Sequence, residues 1–194
     1  MSDTTIATAV REVDGRQIPE AGEYELDKAH TSVEFVARHL MISKVRGRFN
    51  DFSGVISVGE KPEDSSVAVT IDVPSVATGD AQRDGHLLSP DFFDAEQYPA
   101  ITFRSTKVVP VKGGDWKVTG DLTVRDVTRP VVLDVEFEGS HPTPWGTTPI
   151  GFSASTELDR EDFGLTWNQA LETGGVLVGK KIKIELSVEA NRKA

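Results

Sequence analysis

Residues 82–99, QRDGHLLSPDFFDAEQYP, gather groups that could do chemistry into one short stretch. Arg83 and His86 stand beside Asp80 and Asp84 and could form a polar clamp for the headgroup of a ligand. The same residue types could instead form a structural network that anchors a short helix to the rim of a larger structure. The structural interpretation is favoured, and the clamp is the alternative.

The four histidines are the next candidates for chemistry. His30, His39, His86 and His141 are too scattered for the i, i+2 or i, i+4 pairs that chelate a metal, so no metal site is expected. An enzyme with His30 or His86 as general base is one hypothesis for the function. The sequence gives neither histidine a partner with defined geometry.

Three motifs resemble catalytic sequences and fail on context. GFSASTE at 151–157 lacks the second glycine of a nucleophile elbow and alternates like a strand. GGVLVGKK at 174–181 has Lys181 where a phosphate-binding loop needs Ser or Thr, and a strand follows where a helix is required. The DFG at 162–164 has no accompanying kinase motif, which predicts a turn. No catalytic residue is assigned.

Composition limits the partners and the compartment. The chain has 194 residues, enough for one domain, and a formal net charge of -10, which opposes binding to nucleic acid and to anionic lipid surfaces. No window approaches the roughly 20 apolar residues of a transmembrane helix, and the first residues lack the features of a signal peptide. We expect a cytoplasmic protein as the sequence is written, without disulfides, since it has 0 cysteines.

Alternation of apolar and polar residues dominates the chain after residue 30. Val67, Val69 and Ile71 alternate with Ala68 and Thr70, and similar runs recur to give about ten candidate strands. Short connections favour antiparallel pairing, so the pattern predicts an all-β barrel or sandwich with one buried face per strand.

Three segments interrupt this alternation. Residues 1–21 lack periodicity and are expected to be a flexible extension, which leaves 22–194 as the folded domain. Residues 159–180 are expected to form an irregular excursion over one end, with a short helical turn around WNQALE. Ser89 and Pro90 suit the N-cap and first position of a helix, which predicts a short capping helix over SPDFFD.

Several motifs, in order, resemble the YceI-like family of bacterial lipid-binding proteins over residues 22–190. They are YELDKAHTSVEFVARHLMISKVRGRFNDFSG, RDGHLLSPDFFDAEQYPAITFRS, GDLTVRDVTRPVVLDVEF and the segment from GFSASTEL to KKIKIEL. The resemblance implies an extended, antiparallel, eight-stranded lipocalin-like barrel. Its tunnel would hold a polyisoprenoid, an isoprenoid quinone or an acyl-chain lipid, with no other cofactor required. The resemblance places the positions of the family's motifs on His30, Ser32, Arg83, Asp84, His86, Leu87, Phe92, Phe93, Arg160, Asp162, Phe163 and Gly164.

The alternation of inward and outward positions along each strand predicts which side chains line the tunnel. The inward positions on strands are expected to form the wall, and aromatic residues in the two irregular segments are expected to close one end. His30, Arg83 and His86 are the candidates for polar groups at the rim. The predicted tunnel and lid residues are Phe35, Val69, Ile71, Phe92, Phe93, Phe103, Val135, Phe152, Phe163, Trp167 and Ile184, and the predicted outward residues are Asp72, Arg104, Asp134, Glu136 and Lys183.

The sequence therefore predicts a protein that binds and sequesters or carries one long amphiphilic lipid. The alternatives are an enzyme that acts on such a lipid and a structural protein whose barrel is filled by its own side chains. The sequence leaves open which lipid is bound, whether it is stored or delivered, and whether two chains form a homodimer.

Overall fold

The computed structural model describes residues 9–111, 115–172 and 174–193, and most of them are in β-strands. Within these ranges there is one α-helix, α1 (Ala81–Leu88). No helix among these residues has the length and apolar character needed to cross a bilayer. The strands are β1 (Val10–Val13), β2 (Arg16–Pro19), β3 (Gly22–Leu26), β4 (Ser32–His39), β5 (Ser43–Phe49), β6 (Phe52–Val58), β7 (Ser66–Asp72), β8 (Val76–Ala77), β9 (Ala100–Pro110), β10 (Trp116–Val124), β11 (Val127–Ser140), β12 (Ile150–Asp159) and β13 (Val178–Arg192).

Eight of these strands close into an antiparallel barrel, as predicted. Around the barrel the order is β3, β6, β7, β9, β10, β11, β12 and β13, and β13 returns to β3. The 15-residue β13 closes the ring because one edge pairs with β12 while the other edge pairs first with β4 and then with β3. Asp72, Arg104, Asp134, Glu136 and Lys183 are exposed on the outer face, as the alternation predicts.

The barrel has two different ends, which β12 and β13 define. We call the end at the Asp159–Lys181 pair the lid end; the β4–β5 hairpin, the β7–β9 connection with α1, and the β12–β13 connection all lie there. We call the end at the Ile150–Ala190 pair the closed end.

The closed end is covered by the β1–β2 hairpin, which corrects the prediction for residues 1–21. Residues 9–21 are not an unstructured extension, because Val10–Val13 pairs with Arg16–Pro19 and Ile18 is only 3% exposed. The Arg16 guanidinium donates to the carbonyl oxygen of Val111 at 2.9 Å. Residues 1–8 lie outside the described residues.

The capping helix lies earlier in the chain than predicted. The carboxylate of Asp80 accepts a hydrogen bond from the Arg83 amide at 2.9 Å and caps the start of α1, so Ser89 is the C-cap residue and not the N-cap. The Ser89 hydroxyl donates to the carbonyl oxygen of His86 at 2.7 Å, and Pro90 follows the helix. A Ser-Pro pair is compatible with either end of a helix, and the chain uses it to terminate one.

The β12–β13 connection also differs from its prediction. Its helical part is a 3₁₀ turn at Arg160–Phe163, ended by Gly164 in the left-handed conformation, so DFG does form a turn. WNQALE is not helical; Ala170 instead forms an isolated bridge with Val176. The Asn168 side chain accepts from the Val178 amide at 3.0 Å and donates to its carbonyl oxygen at 2.8 Å, which holds this segment extended.

Candidate functional site

A cavity of about 360 Å³ runs inside the barrel from the closed end to the lid end. Ile18 and Pro19 of the β1–β2 hairpin border it at the closed end, and Leu87 of α1 borders it at the lid end. Its wall is almost entirely aliphatic and aromatic, because inward strand positions are apolar on strand after strand. The predicted residues that line it are Phe35, Val69, Ile71, Phe92, Phe93, Phe103, Val135, Phe152, Phe163 and Ile184.

Aromatic rings form the part of the wall nearest the lid. The rings of Phe35 and Phe49 are 5.7 Å apart between centroids, and Phe49 lies 5.8 Å from Phe93 in an edge-to-face arrangement. These separations fall in the favourable range for aromatic pairs, so the β4–β5 wall and the β7–β9 connection are joined by ring packing.

Trp167, a predicted lid residue, packs against the lid but does not border the cavity. It packs behind the lid, with its ring 5.4 Å from Phe92 and 4.6 Å from His86. Phe92 is only 6% exposed and separates Trp167 from the interior. Trp167 therefore supports a lid residue, and the two irregular segments contact one another through this cluster.

Arg83 and His86 belong to the polar network around α1. Arg83 donates to the hydroxyl of Thr78 at 2.7 Å and to its carbonyl oxygen at 3.1 Å. Asp84 accepts from the Thr78 amide at 2.9 Å. His86 Nε2 lies 2.8 Å from Asp91 Oδ2. The structure thus gives both side chains partners that hold the helix, and neither borders the cavity.

His30 lies apart from these groups, on the outer surface. It contacts Asp27, with 3.0 Å between Nδ1 and Oδ2, and Glu189, at 3.8 Å. The hydrogen bond to Asp27 and the two negative charges raise the pKa of His30. Glu189 is eight residues from Lys181, roughly 26 Å along β13. His30 bonds Asp27, whereas Arg83 bonds Thr78 and His86 bonds Asp91, so the structure does not join the three side chains in one polar cluster.

The side chains of Asp27, His30 and Glu189 are close enough to share a cation. Their ligand atoms lie within 4.8 Å of one another. They are on the outer surface, and His30 does not border the cavity. The hydrogen bond between His30 and Asp27 satisfies both groups without an ion.

Arg160, one of the positions matched by the family resemblance, is a buried cation at the lid end. It is 6% exposed and borders the cavity, and its guanidinium donates to the carbonyl oxygens of Gly179 at 3.0 Å and of Leu165. Burial lowers the pKa of Arg160, and the charges of Glu161 and Asp159 oppose this shift. Among the described residues no carboxylate lies within 4.0 Å of Arg160. Hydrogen bonds to backbone carbonyl oxygens therefore offset the cost of burying its charge.

Three comparisons place this geometry among known proteins. A UPF0312 protein of Vibrio parahaemolyticus is 44% identical over 149 residues, which is 75% of this chain and 79% of that protein. BcnA of Burkholderia cenocepacia superposes with a TM-score of 0.74 at 25% identity, covering 84% of this chain and 98% of that one. A polyisoprenoid binding domain of Saccharophagus degradans, implicated in plant cell wall breakdown, superposes with a TM-score of 0.67 at 16% identity, covering 90% and 100%.

The YceI-like domain family matches residues 24–190, which begin within β3 and end near the end of β13. The match therefore takes in all eight barrel strands, apart from the outermost residues of β3 and β13, and all three connections at the lid end. With the 44% identity to the Vibrio protein, it shows that this chain belongs to the YceI-like family.

Proposed function

We propose that this protein binds one long isoprenoid lipid, of the polyprenyl or prenyl-quinone type, or an acyl-chain lipid, in the barrel cavity. The observation that carries the proposal is the continuous apolar lining from Ile18 at the closed end to Phe92 at the lid end. A long apolar cavity excludes polar solutes and favours a ligand whose length matches that of the barrel.

The dimensions favour a long ligand over a short one. The ten residues of β12 span roughly 33 Å along the strand, or roughly 25 Å along the axis of a barrel with strands tilted by about 40°. Each buried methylene contributes about 0.8 kcal/mol, whereas association costs roughly 4 to 15 kcal/mol. For a chain of about ten carbons the two free energies nearly cancel, and much longer chains bind tightly.

The relatives support the same ligand class. The polyisoprenoid binding domain of Saccharophagus degradans has this fold, and it supports the proposal by analogy because the two chains are only 16% identical. Isoprenoid and acyl chains have the same apolar chemistry, so extraction has to distinguish them.

We infer a binding and carrying role without turnover. His30 and His86, the two histidines considered as general bases, do not border the cavity, and a general base must reach the proton that it removes. The charged groups that border it are Glu34 and Arg160, within the described part of the chain. Arg160 already donates to backbone carbonyls, which suits a structural or headgroup-facing role better than proton transfer.

The proposal is tested by organic extraction and native mass spectrometry of the purified protein, followed by titration with a prenyl quinone. We expect a co-purifying lipid, or saturable one-to-one binding by protein that has been stripped of lipid. A protein that is empty when purified and also ignores the added quinone and a long fatty acid would refute the proposal.

Two valines on β11 provide a matched pair of variants. Val135 borders the cavity, whereas Val132 is 43% exposed on the outer face. Val135→Lys should abolish lipid binding because an unpaired charge inside an apolar cavity is strongly unfavourable, and Val132→Lys should bind as the native protein does. Circular dichroism of both variants separates lost binding from lost folding. Equal binding by two folded variants would contradict the assigned inward face.

A further inference from the structure

The tip of the β4–β5 hairpin exposes apolar side chains at the lid end. Met41 is 56% exposed and Ile42 is 81% exposed. The Leu40 amide donates to the carbonyl oxygen of Leu177 at 2.9 Å, so the tip lies against the β12–β13 connection. Two adjacent large apolar residues that project into solvent are typical of a surface that meets an apolar partner.

The backbone of the tip suits other residues better. Leu40 and Met41 have φ angles of 52° and 61°, in the left-handed region that favours Gly and Asn. A hairpin selected for stability alone would carry Asn-Gly at such a turn. This chain places leucine and methionine there, at a cost in stability and with exposed apolar surface. This choice of residues indicates that the side chains at the tip serve a purpose other than stability.

The part of the hairpin nearest the tip is basic. Residues 38–48, RHLMISKVRGR, contain arginine and lysine but no acidic residue, in a chain whose net charge is -10. Arg38 pairs directly with Lys44 across the hairpin, and like charges in such pairs repel. Arg46 bonds Glu185 at 2.7 Å and lies 3.9 Å from Glu34, whereas Arg38, Lys44 and Arg48 have no carboxylate within 4.0 Å in the part of the chain that the structure describes.

We propose that this hairpin docks the protein onto an anionic lipid bilayer. The tip, Leu40–Ile42, enters the interfacial region, and the basic outer face, Arg38, Lys44 and Arg48, contacts the lipid headgroups. An apolar tip with basic flanks is the combination that binds anionic membrane surfaces, because apolar burial and electrostatic attraction add. Docking would also set the lid end, with Phe92 and Phe93, towards the bilayer.

The observations favour a bilayer over a second copy of this chain. A symmetric dimer through the hairpin would bring two basic faces together, which costs free energy. A bilayer offers apolar depth for the tip and negative headgroups for the flanks at the same place. The inference goes beyond the proposed lipid-binding function, because docking does not require the cavity to be occupied.

The absence of cysteine from the sequence allows a direct test of which end of the barrel meets the bilayer. Ile42→Cys, labelled with an environment-sensitive fluorophore, reports on the tip. Trp145→Cys is the matched control, since Trp145 is 86% exposed in the β11–β12 loop at the opposite, closed end. With vesicles of equal parts phosphatidylglycerol and phosphatidylcholine, we expect a blue shift and a brighter signal at residue 42 and no change at residue 145.

Unlabelled variants measure the contribution of each part of the surface by cosedimentation with the same vesicles. Arg38→Gln with Lys44→Gln should weaken binding by roughly thirtyfold, since each basic residue near an anionic surface adds to affinity. Met41→Ser with Ile42→Ser should also weaken binding, and Trp145→Ser should leave it unchanged. Val135→Lys should retain vesicle binding, which separates docking from occupancy of the cavity.

Four outcomes would overturn the proposal. They are no binding of the native protein to anionic vesicles, equal binding to vesicles of phosphatidylcholine alone, an equal response at residues 42 and 145, or a signal at residue 42 that rises with protein concentration without vesicles. The last result would identify a second copy of the chain as the occupant of the tip.

Discussion

The ring of Phe35 lies over the backbone of Gly47, its direct partner across the β4–β5 pair. A Cβ atom on residue 47 would overlap Cζ of that ring and fall 2.8 Å from Cε1, closer than real contacts allow. Phe103 covers Gly120 on β10 in a similar way. Pairing an aromatic ring with a glycine covers the exposed backbone and lays the ring along the wall, which leaves the centre of the barrel open.

We predict that Gly47→Ala narrows the tunnel more than it destabilises the fold. The new methyl group displaces the far end of the Phe35 ring towards the cavity, which has room for it, so the change in unfolding free energy should stay within about 1 kcal/mol. Affinity for a prenyl quinone should fall. Titration with the quinone and denaturant unfolding measure the two effects.

Two other glycine-to-alanine variants serve as controls for Gly47→Ala. Gly120→Ala should destabilise the protein by about 1 to 3 kcal/mol, because its Cβ would also meet the backbone carbonyl oxygen of Arg104 at 2.7 Å, which cannot move aside. Gly151→Ala should change neither property, since its nearest neighbour would be at 3.5 Å. Loss of quinone binding by Gly151→Ala, or native affinity in Gly47→Ala, would contradict the explanation.

Arg160→Lys should loosen the lid. The lysine ammonium keeps the charge, but it cannot reproduce the planar set of donors that meets the carbonyl oxygens of Gly179 and Leu165, so we expect a loss of about 2 kcal/mol in stability. Hydrogen exchange should accelerate at the amides of Leu165 and Leu177, which bond within the β12–β13 connection.

The nearby exposed pair of Lys180 and Glu161, at 2.8 Å, supplies the control for Arg160. Lys180→Met should cost at most about 0.5 kcal/mol, because exposed ion pairs contribute little. If Arg160→Lys exchanged as slowly as Lys180→Met at both amides, the buried guanidinium would not be what holds the lid.

Much of the barrel could be predicted because burial of one face imposes a period of two. Alternation identified β4 to β7 and β9 to β13, and with them the inward positions, since a strand has no other way to place apolar side chains on one side. The same rule located Val69, Ile71 and Phe103, which border the cavity. Whether these residues contact a ligand stays a prediction.

What could not be predicted depends on single contacts. Trp167 packs behind Phe92 because of how two connections meet, and no periodicity encodes that contact. The role of Arg160 depends on carbonyl groups at the start of β13, far from it in sequence. The β1–β2 hairpin did carry a local signal, Asp14-Gly15, whose positive φ angles of 50° and 74° suit a tight hairpin turn.

Glu185 should make the main contribution to the loss of folding stability at low pH. Hydrogen bonds from Lys183 and Arg46 lower the pKa of Glu185 from 4.5 to about 2. A depressed carboxyl pKa stabilises the folded state above the unfolded value and loses that contribution as pH falls through the folded value. Stability should therefore fall between pH 4.5 and about 2, and Glu185→Gln should flatten this region.

Titration of the Glu185 carboxyl by NMR, with chemical unfolding as a function of pH, measures both quantities. Glu136→Gln, which removes an exposed glutamate from β11, controls for the change in net charge. A midpoint for Glu185 near 4.5, or equal acid responses of the two variants, would show that the contacts with Lys183 and Arg46 do not persist in solution.

The last prediction separates stability from function at the hairpin tip. Replacing Leu40 with Asn and Met41 with Gly fits residues that tolerate positive φ to a backbone that already has φ angles of 52° and 61°, so the double variant should be more stable by about 1 kcal/mol. The same change removes apolar surface from the tip, and we expect weaker binding to anionic vesicles. Thermal unfolding and cosedimentation on one preparation give both values. A gain in stability with unchanged vesicle binding would mean that leucine and methionine have no docking role. A loss of stability would mean that the two side chains stabilise the fold despite the positive φ angles.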